Sequence, residues 1–283
     1  MSSFRVNRVV IVGLGLIGGS LGLAIKRKRL AAKVVGLSRT NATWRAAKRR
    51  RVIDAGTTDL RQAVRDADLV VLATPVDAIA PYAKRLARFM KPGSVLTDVG
   101  STKAAIITAL DGRLPSGISF IGGHPIAGSE QYGLDAATTR LFDDSVCILT
   151  PTSRTAPRAL ALVKRFWSRI AGSVVLMSPQ RHDRLLAGVS HLPHLVAFCL
   201  ADAAGRVPLL RAPRSLLDMT RLAESCPELW DDIFLSNRAP LREAIGRFDR
   251  YWRRACAAIL RGDRAELLRL LRRAQSARHA FNR

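Results

Sequence analysis

Cysteine, lysine, acidic residues and long apolar runs are all scarce in this chain, and each shortage removes a class of protein. The four cysteines, Cys147, Cys199, Cys226 and Cys256, lie far apart. None forms a C-x-x-C pair or joins a histidine at zinc spacing, so neither a disulfide framework nor a metal site is expected, and the thiols read as reduced and mostly buried. No stretch approaches about 18 uncharged apolar residues, so the sequence predicts no membrane span. The opening MSSFRVNRVVIVGLG runs straight into strand-like residues, without an apolar targeting region or small-residue cleavage site. A cytoplasmic protein is the expectation. Acidic residues number 22 against 46 basic ones, for a formal net charge of +24. Only eight of the basic residues are lysine, and they are spread along the chain apart from KRKR at 26–29 and KRRR at 48–51. No aromatic interleaving, zinc-finger or homeodomain pattern accompanies them, so nucleic acid is not the expected partner. The charge would instead draw small anions toward a cleft.

What is present is an ordinary globular balance, with 48% hydrophobic and 24% charged residues, and enough length for two domains. RVVIVGLGLIGGSLGLAIKRK reads as a buried apolar run, a glycine turn and a helix. AKVVGLSR (32–39), ADLVVLATP (67–75), GSVLTDVGS (93–101), ISFIGGHP (118–125) and SVCILTP (145–151) repeat the apolar run. Helix-like stretches, such as 77–90 and 103–110, lie between them. Apolar strands alternating with helices predict a parallel sheet covered on both faces. After AGSVVLMSP (171–179) only helical periodicity remains. RHDRLLAGVSHLPHLVAFCLADAAG reads as one long helix with Pro193 as a kink or break. The expected division is a sheet domain over 1–177 and a helical domain over 178–283, the latter suited to dimerisation.

Gly13, Gly15 and Gly18 form G-x-G-x-x-G between the first strand and the first helix, with Leu16 and Ile17 inside the motif. In this context the glycines allow a tight turn, close approach of a pyrophosphate and helix–strand packing, which is the dinucleotide site of a Rossmann-type, doubly wound sheet. Thr74 and Pro75 end another strand at the same edge. An NAD site usually carries an acidic residue at the end of the second strand; this chain has Ser38, Arg39 and Thr40 there. A guanidinium flanked by hydroxyls suits a 2′-phosphate, so NADP is favoured over NAD. The alternative is a solvated arginine in an arginine-rich chain.

Further polar motifs follow: TDVGSTK (97–103), GGHPIAGSE (122–130), RHD (181–183), SHLPH (190–194) and DMTRLAESCPELW (218–230). Taken together and in this order, they closely resemble the prephenate/arogenate dehydrogenase family of tyrosine biosynthesis, from about Arg8 to beyond Asn237. The resemblance implies oxidative decarboxylation of prephenate or arogenate with hydride transfer to NAD(P). It implies that His124 is the catalytic base, with Ser101 bonding near the reacting hydroxyl, and that Arg221 binds a substrate carboxylate. His194 and His182 match positions lining or gating the substrate site. Glu130 matches a motif position of gating or structural role. A homodimer through the helical half is implied as well. Other roles stay open: Ser101 as a helix N-cap, His191 as a packed helix histidine, Trp230 as core or cleft wall. Twelve residues of continuous helix would hold His182 and His194 roughly 18 Å apart. Three other readings compete. A β-hydroxyacid dehydrogenase would need a lysine in its helical half, which has none after Lys164. A dehydrogenase for 4-amino-4-deoxyprephenate fits the same spacing. A dinucleotide-sensing nucleic-acid regulator would have no need of His124, Ser101 and Arg221 together.

Overall fold

The computed structural model describes residues 4–129, 131–206 and 211–281. Its first half is built on strands β1 (Val6–Val12), β2 (Ala31–Leu37), β3 (Ala55–Thr57), β4 (Leu69–Leu72), β5 (Val95–Asp98), β6 (Ser119–Pro125), β7 (Val146–Thr150) and β8 (Ser173–Leu176). They form one eight-stranded sheet in the order β3-β2-β1-β4-β5-β6-β7-β8, parallel throughout except where β7 runs antiparallel to β6. The short β3 was not foreseen; three partly buried residues carry too little pattern to announce a strand.

The central strands are apolar on both faces because both faces are covered. Val9 and Ile11 of β1 enter one core with Leu21 and Ile25 of α1 (Leu16–Arg27) and with Phe166 and Trp167 of α6 (Pro157–Trp167). Val10 and Val12 enter the other, with Ile79 and Leu86 of α4 (Val76–Ala87) and Ile106 of α5 (Ala104–Leu110). The sheet order reverses between β1 and β4, so the turns after these two strands flank an open crevice at their carboxyl ends, where doubly wound sheets bind ligands. The remaining sheet-side helices are α2 (Asn41–Arg49) and α3 (Leu60–Val64).

The helical segments that follow begin with α7 (Pro179–Leu186), a π-helical turn over Ala187–His191 and α8 (Leu192–Gly205). The expected break at Pro193 takes this form. Proline has no N–H to donate and its ring crowds the carbonyl four residues back, and a wider turn directly before it lets the helical run continue. Beyond α8 come α9 (Arg214–Thr220), a 3₁₀ turn over Arg221–Glu224 and α10 (Pro227–Ser236). Trp230 and Ile233 of α10 are buried in the second core alongside Ile79 and Ala83 of α4. By contacts, therefore, one compact unit runs from residue 1 to Asn237, and Arg238–Arg283 form another. The second unit consists of α11 (Arg238–Leu260) and α12 (Arg264–Ala280), joined at Gly262 with φ +65° and tied by Arg254 of α11 on Glu266 of α12, which also pairs with Arg269 on its own helix.

The run Pro179–Gly205 corrects one expectation. It is 27 residues long, and an 18-residue window within it has a mean hydropathy of 1.4, enough in length and composition to cross a membrane. Histidine and proline interrupt the apolar run without carrying a fixed charge, which is why the sequence pattern concealed it. The side chains of His182, Asp183, His191 and His194, however, are hydrogen-bonded inside the first unit.

Candidate active site

The crevice between β1 and β4 is lined by backbone. Gly13 adopts φ +92°, and a Cβ there would stand 2.4 Å from the Ala73 carbonyl oxygen. At Gly18 a Cβ would stand 2.0 Å from the Gly13 oxygen, so helix α1 can pack on the turn only without a side chain. Gly15 is the opposite case: nothing lies within 4 Å of the Cβ position, leaving open space above the N-cap of α1. No side chain caps this helix and no acidic residue occupies its first turn, so the N–H groups following Leu16 and Ile17 and the positive end of the helix dipole face that space. Thr74 Oγ1 is buried with no hydrogen-bond partner among the described residues, and Pro75 is the N-cap of α4. A backbone cradle, an open glycine and an orphaned hydroxyl fit a dinucleotide pyrophosphate. At the end of β2, Ser38 Oγ donates to the Thr40 carbonyl at 2.8 Å, and Thr40 Oγ1 accepts from Thr43 N as the cap of α2. Both hydroxyls thus serve the local turn, and Arg39 stands exposed between them.

Next along the sheet is a cluster made of side chains. His124 lies within β6, opposite Ile148 of β7, and is buried. The Gly122–Gly123 pair is therefore strand rather than loop; its small residues serve packing, since a Cβ on Gly123 would stand 2.8 Å from the Asp98 carbonyl oxygen. His124 Nδ1 and His182 Nε2 are 2.9 Å apart, and His182 Nδ1 lies 2.7 Å from Asp183 Oδ1. Burial pushes the His124 imidazole well below its ordinary pKa, with the neighbouring His182, Lys103 and His191 acting in the same direction. His182 is also lowered by burial, against the opposing pull of Asp183. His124 is thus held neutral, as a proton acceptor must be.

Beneath the histidines lies a fully buried ion pair of Lys103 and Asp98. Lys103 Nζ also donates to the Gly123 carbonyl at 2.9 Å, while the Asp98 carboxylate accepts from Gly123 N at 3.0 Å and Gly100 N at 2.9 Å. Burial lowers the Lys103 ammonium and Asp98 pulls it back. Asp183 accepts from Lys103 N at 2.8 Å and Ala104 N at 2.9 Å, capping α5 from another helix. Ser101 is therefore not the N-cap; that position is Lys103, and half-buried Ser101 belongs to the loop leading to it.

His194 stacks on Trp230 with ring centroids 3.6 Å apart, making Trp230 both a core residue and the platform for a histidine. Burial lowers His194, and the nearby Arg221 guanidinium lowers it further. His191 is buried, with Asn237 Nδ2 3.0 Å from its Nδ1, and burial pushes it down to about 4. Asn237 Nδ2 also donates to the Asp183 carbonyl at 2.8 Å. The structure thus links His124 to His182 directly and brings Arg221 beside His194. Glu130 lies outside the described residues. Asp98, Lys103, Asp183 and Asn237 escaped the sequence reading; the one available signal was Lys103 opening the otherwise uncharged helix AAIITAL.

A dinucleotide cradle at the sheet's switch point, next to a buried neutral histidine, defines a nicotinamide-linked dehydrogenase. Two family models account for nearly the whole chain: "Prephenate dehydrogenase, nucleotide-binding domain" matches residues 21–176, and "Prephenate dehydrogenase, dimerization domain" matches residues 178–273. The chain belongs to the prephenate dehydrogenase family. It is 36% identical to the cyclohexadienyl dehydrogenase of Zymomonas mobilis, over 97% of this chain and 96% of that one. The prephenate dehydrogenase of Aquifex aeolicus, solved with hydroxyphenyl propionate and NAD+, superposes with a TM-score of 0.91 at 32% identity, covering 99% of this chain and 100% of that one. The arogenate dehydrogenase of Synechocystis gives a TM-score of 0.80 at 29% identity, covering 97% and 99%.

Proposed function

We propose that this protein oxidatively decarboxylates a cyclohexadienol acid, prephenate or arogenate, in tyrosine biosynthesis. The observation that carries this reading is His124, buried, neutral and bonded through Nδ1, at the sheet edge that also holds the glycine cradle. When bound, the nicotinamide dinucleotide accepts the hydride from the carbinol carbon. His124 Nε2 takes the hydroxyl proton as the C–O bond becomes a carbonyl. The ring carboxylate then leaves as carbon dioxide, its bonding electrons aromatise the ring, and the resulting phenolate recovers the proton from His124. Arg221 supplies a fixed cation for a substrate carboxylate, with His194 and Trp230 as neighbouring wall. Ser101 is assigned to the reacting hydroxyl.

Of the two dinucleotides we favour NADP. Support comes from the absence of an acidic side chain among Ser38, Arg39 and Thr40, and from the exposed Arg39 guanidinium at that strand end. We also propose a homodimer through the helical half. The dimerisation-domain match supports it, as does apolar surface exposed on the single chain, including Val189 at 65% and Leu235 at 64%.

The test is reduced-cofactor formation from prephenate or arogenate, each with NADP or NAD. Turnover with either acid supports the reading, and silence in all four combinations overturns it. Arg39→Ala should weaken NADP by roughly 10- to 100-fold, the worth of one charge-assisted hydrogen bond, and leave NAD within about twofold. Equal losses for both dinucleotides would remove the preference. Light scattering of the purified protein reads the dimer.

A further inference from the structure

We infer that Asp183 is a positioning residue for the base: through His182 it determines which nitrogen of His124 carries the proton. This rests on the assignment of His124 as proton acceptor, and concerns how that acceptor is prepared.

The argument follows the donors. Asp183 Oδ1 and Oδ2 accept from the backbone N–H groups of Lys103 and Ala104. A carboxylate receiving two such bonds is an acceptor, so His182 Nδ1, 2.7 Å away, is the protonated nitrogen of that ring. A neutral His182 then offers a lone pair at Nε2. The atom facing it at 2.9 Å, His124 Nδ1, must be the donor. His124 Nε2 is left bare, and it is the only ring nitrogen from which it can accept a substrate proton. Without this chain, a neutral imidazole is free to place its proton on Nε2 and lose its function as a base.

The same carboxylate has a second task. By capping α5 it fixes the segment Gly100–Lys103, which carries Ser101, relative to the helix that carries His182. The base and the serine are therefore set in register by one side chain. The titratable and charged groups around His124 are His182 on α7, Lys103 at the start of α5, His191 in the π-turn, the buried Cys147 thiol on β7 beside the His124 backbone and, bonded to Lys103, Asp98 on β5. Among these side chains and Asp183, Asp98 and Asp183 carry the negative charge. Asp98 is bonded to Lys103 and to backbone, whereas Asp183 is bonded to a histidine.

The experiment uses full-length protein with ¹⁵N-labelled histidine, whose ring-nitrogen resonances distinguish the two tautomers. His124 is assigned by its disappearance in His124→Asn. The wild type should show His124 protonated on Nδ1. His182→Leu leaves the Asp183 cap of α5 in place, and should shift His124 toward the Nε2-protonated form. It should also lower kcat by about 10- to 10,000-fold, from the loss for an outer partner of a bound histidine to that for a catalytic histidine in the wrong tautomer, with KM and dinucleotide affinity changed by less than about threefold. His182→Gln keeps an acceptor for His124 Nδ1 and should recover much of kcat. In Asp183→Asn the acid limb of the kcat profile should move to lower pH, because the charge that raises His182 is gone; a purely structural residue would lower the plateau and leave the limb in place. A wild-type His124 protonated on Nε2, or unchanged tautomer and kcat in His182→Leu, overturns the proposal. If His124→Asn keeps full turnover, the base assignment fails instead, and the resonances still report separately on the hydrogen-bond chain.

Discussion

At the dinucleotide cradle a ligand would meet backbone: glycines that leave room, and N–H groups at the end of α1 with no side-chain cap. Further along the sheet, the histidine cluster is built on side chains that bond one another and the backbone between them. There, β5 contributes Asp98, β6 His124, the N-cap of α5 Lys103 and α7 both His182 and Asp183, and the buried charges are arranged so that each has a partner. The cradle works by what it omits, and its glycines fall within one six-residue motif. The cluster works by mutual support, and its parts are separated by as many as 85 positions, from Asp98 to Asp183. A backbone site can therefore change occupancy without disturbing the fold. A side-chain network cannot lose a member without a cost in both stability and chemistry.

The sharpest way to separate the two regions is His124→Asn. It should reduce kcat by roughly 100- to 10,000-fold, the range for a general base, while dinucleotide affinity measured by fluorescence titration stays unchanged. A parallel loss of affinity would mean that the cluster and the cradle are one site rather than two. Lys103→Met, by contrast, strands the buried Asp98 carboxylate. It should cost about 3 to 5 kcal/mol in urea unfolding, because removing one partner of a buried pair leaves an uncompensated charge. A smaller cost would show that the backbone N–H groups of Gly100 and Gly123 satisfy Asp98 unaided.

Acid should weaken the cluster before the cradle. His191 is held at about 4 in the folded chain against an ordinary value near 6.5, so the unfolded chain binds the proton more readily between those two values. Stability is fully present above about pH 6.5 and declines as pH falls toward 4, by about 3 kcal/mol from this residue alone. His124 and His182 are lowered in the same direction and add to the loss. His191→Gln keeps an acceptor for Asn237 and should flatten the decline; an equally steep loss would place the acid sensitivity elsewhere. The smallest stability change is expected at Gly15→Ala. Its new methyl group enters open space, so unfolding should shift by no more than about 0.5 kcal/mol while dinucleotide binding weakens. A large loss of stability there would mean that the cradle is closed in the folded chain.

The same contrast explains which features could be read from the sequence. G-x-G-x-x-G between a strand and a helix announces its own geometry, and the apolar runs of β1, β4 and β5 announce a sheet covered on both sides. His124, His182, His194 and Arg221 were legible as motif positions. Their arrangement was not, because pairing His124 with His182 depends on how α7 leaves the sheet, which no local pattern encodes. Lys103 read as a helix start and Asp183 as a charge beside a histidine. Both became meaningful only once the fold brought the end of β5 to α7. Trp230 shows the limit from another direction: the same ring is core on one side and platform on the other, and a sequence position cannot display two environments.

The π-turn at Ala187–His191, closed by Leu192 N on the Ala187 carbonyl, acts as a phase shifter. Each residue of an α-helix advances its face by about 100°, and the wider π-turn takes in one more residue per turn, so α8 keeps the phase of a regular helix one residue shorter. Forcing the same five residues into regular α geometry would swing all of α8 by roughly 90 to 100°, and His194 would leave the Trp230 ring it stacks on while His182 kept its place on the near side of the turn. The turn thus absorbs one surplus residue and keeps two histidines of a single helical run in working alignment, and tightening it would disable the site without altering any of the side chains that form it.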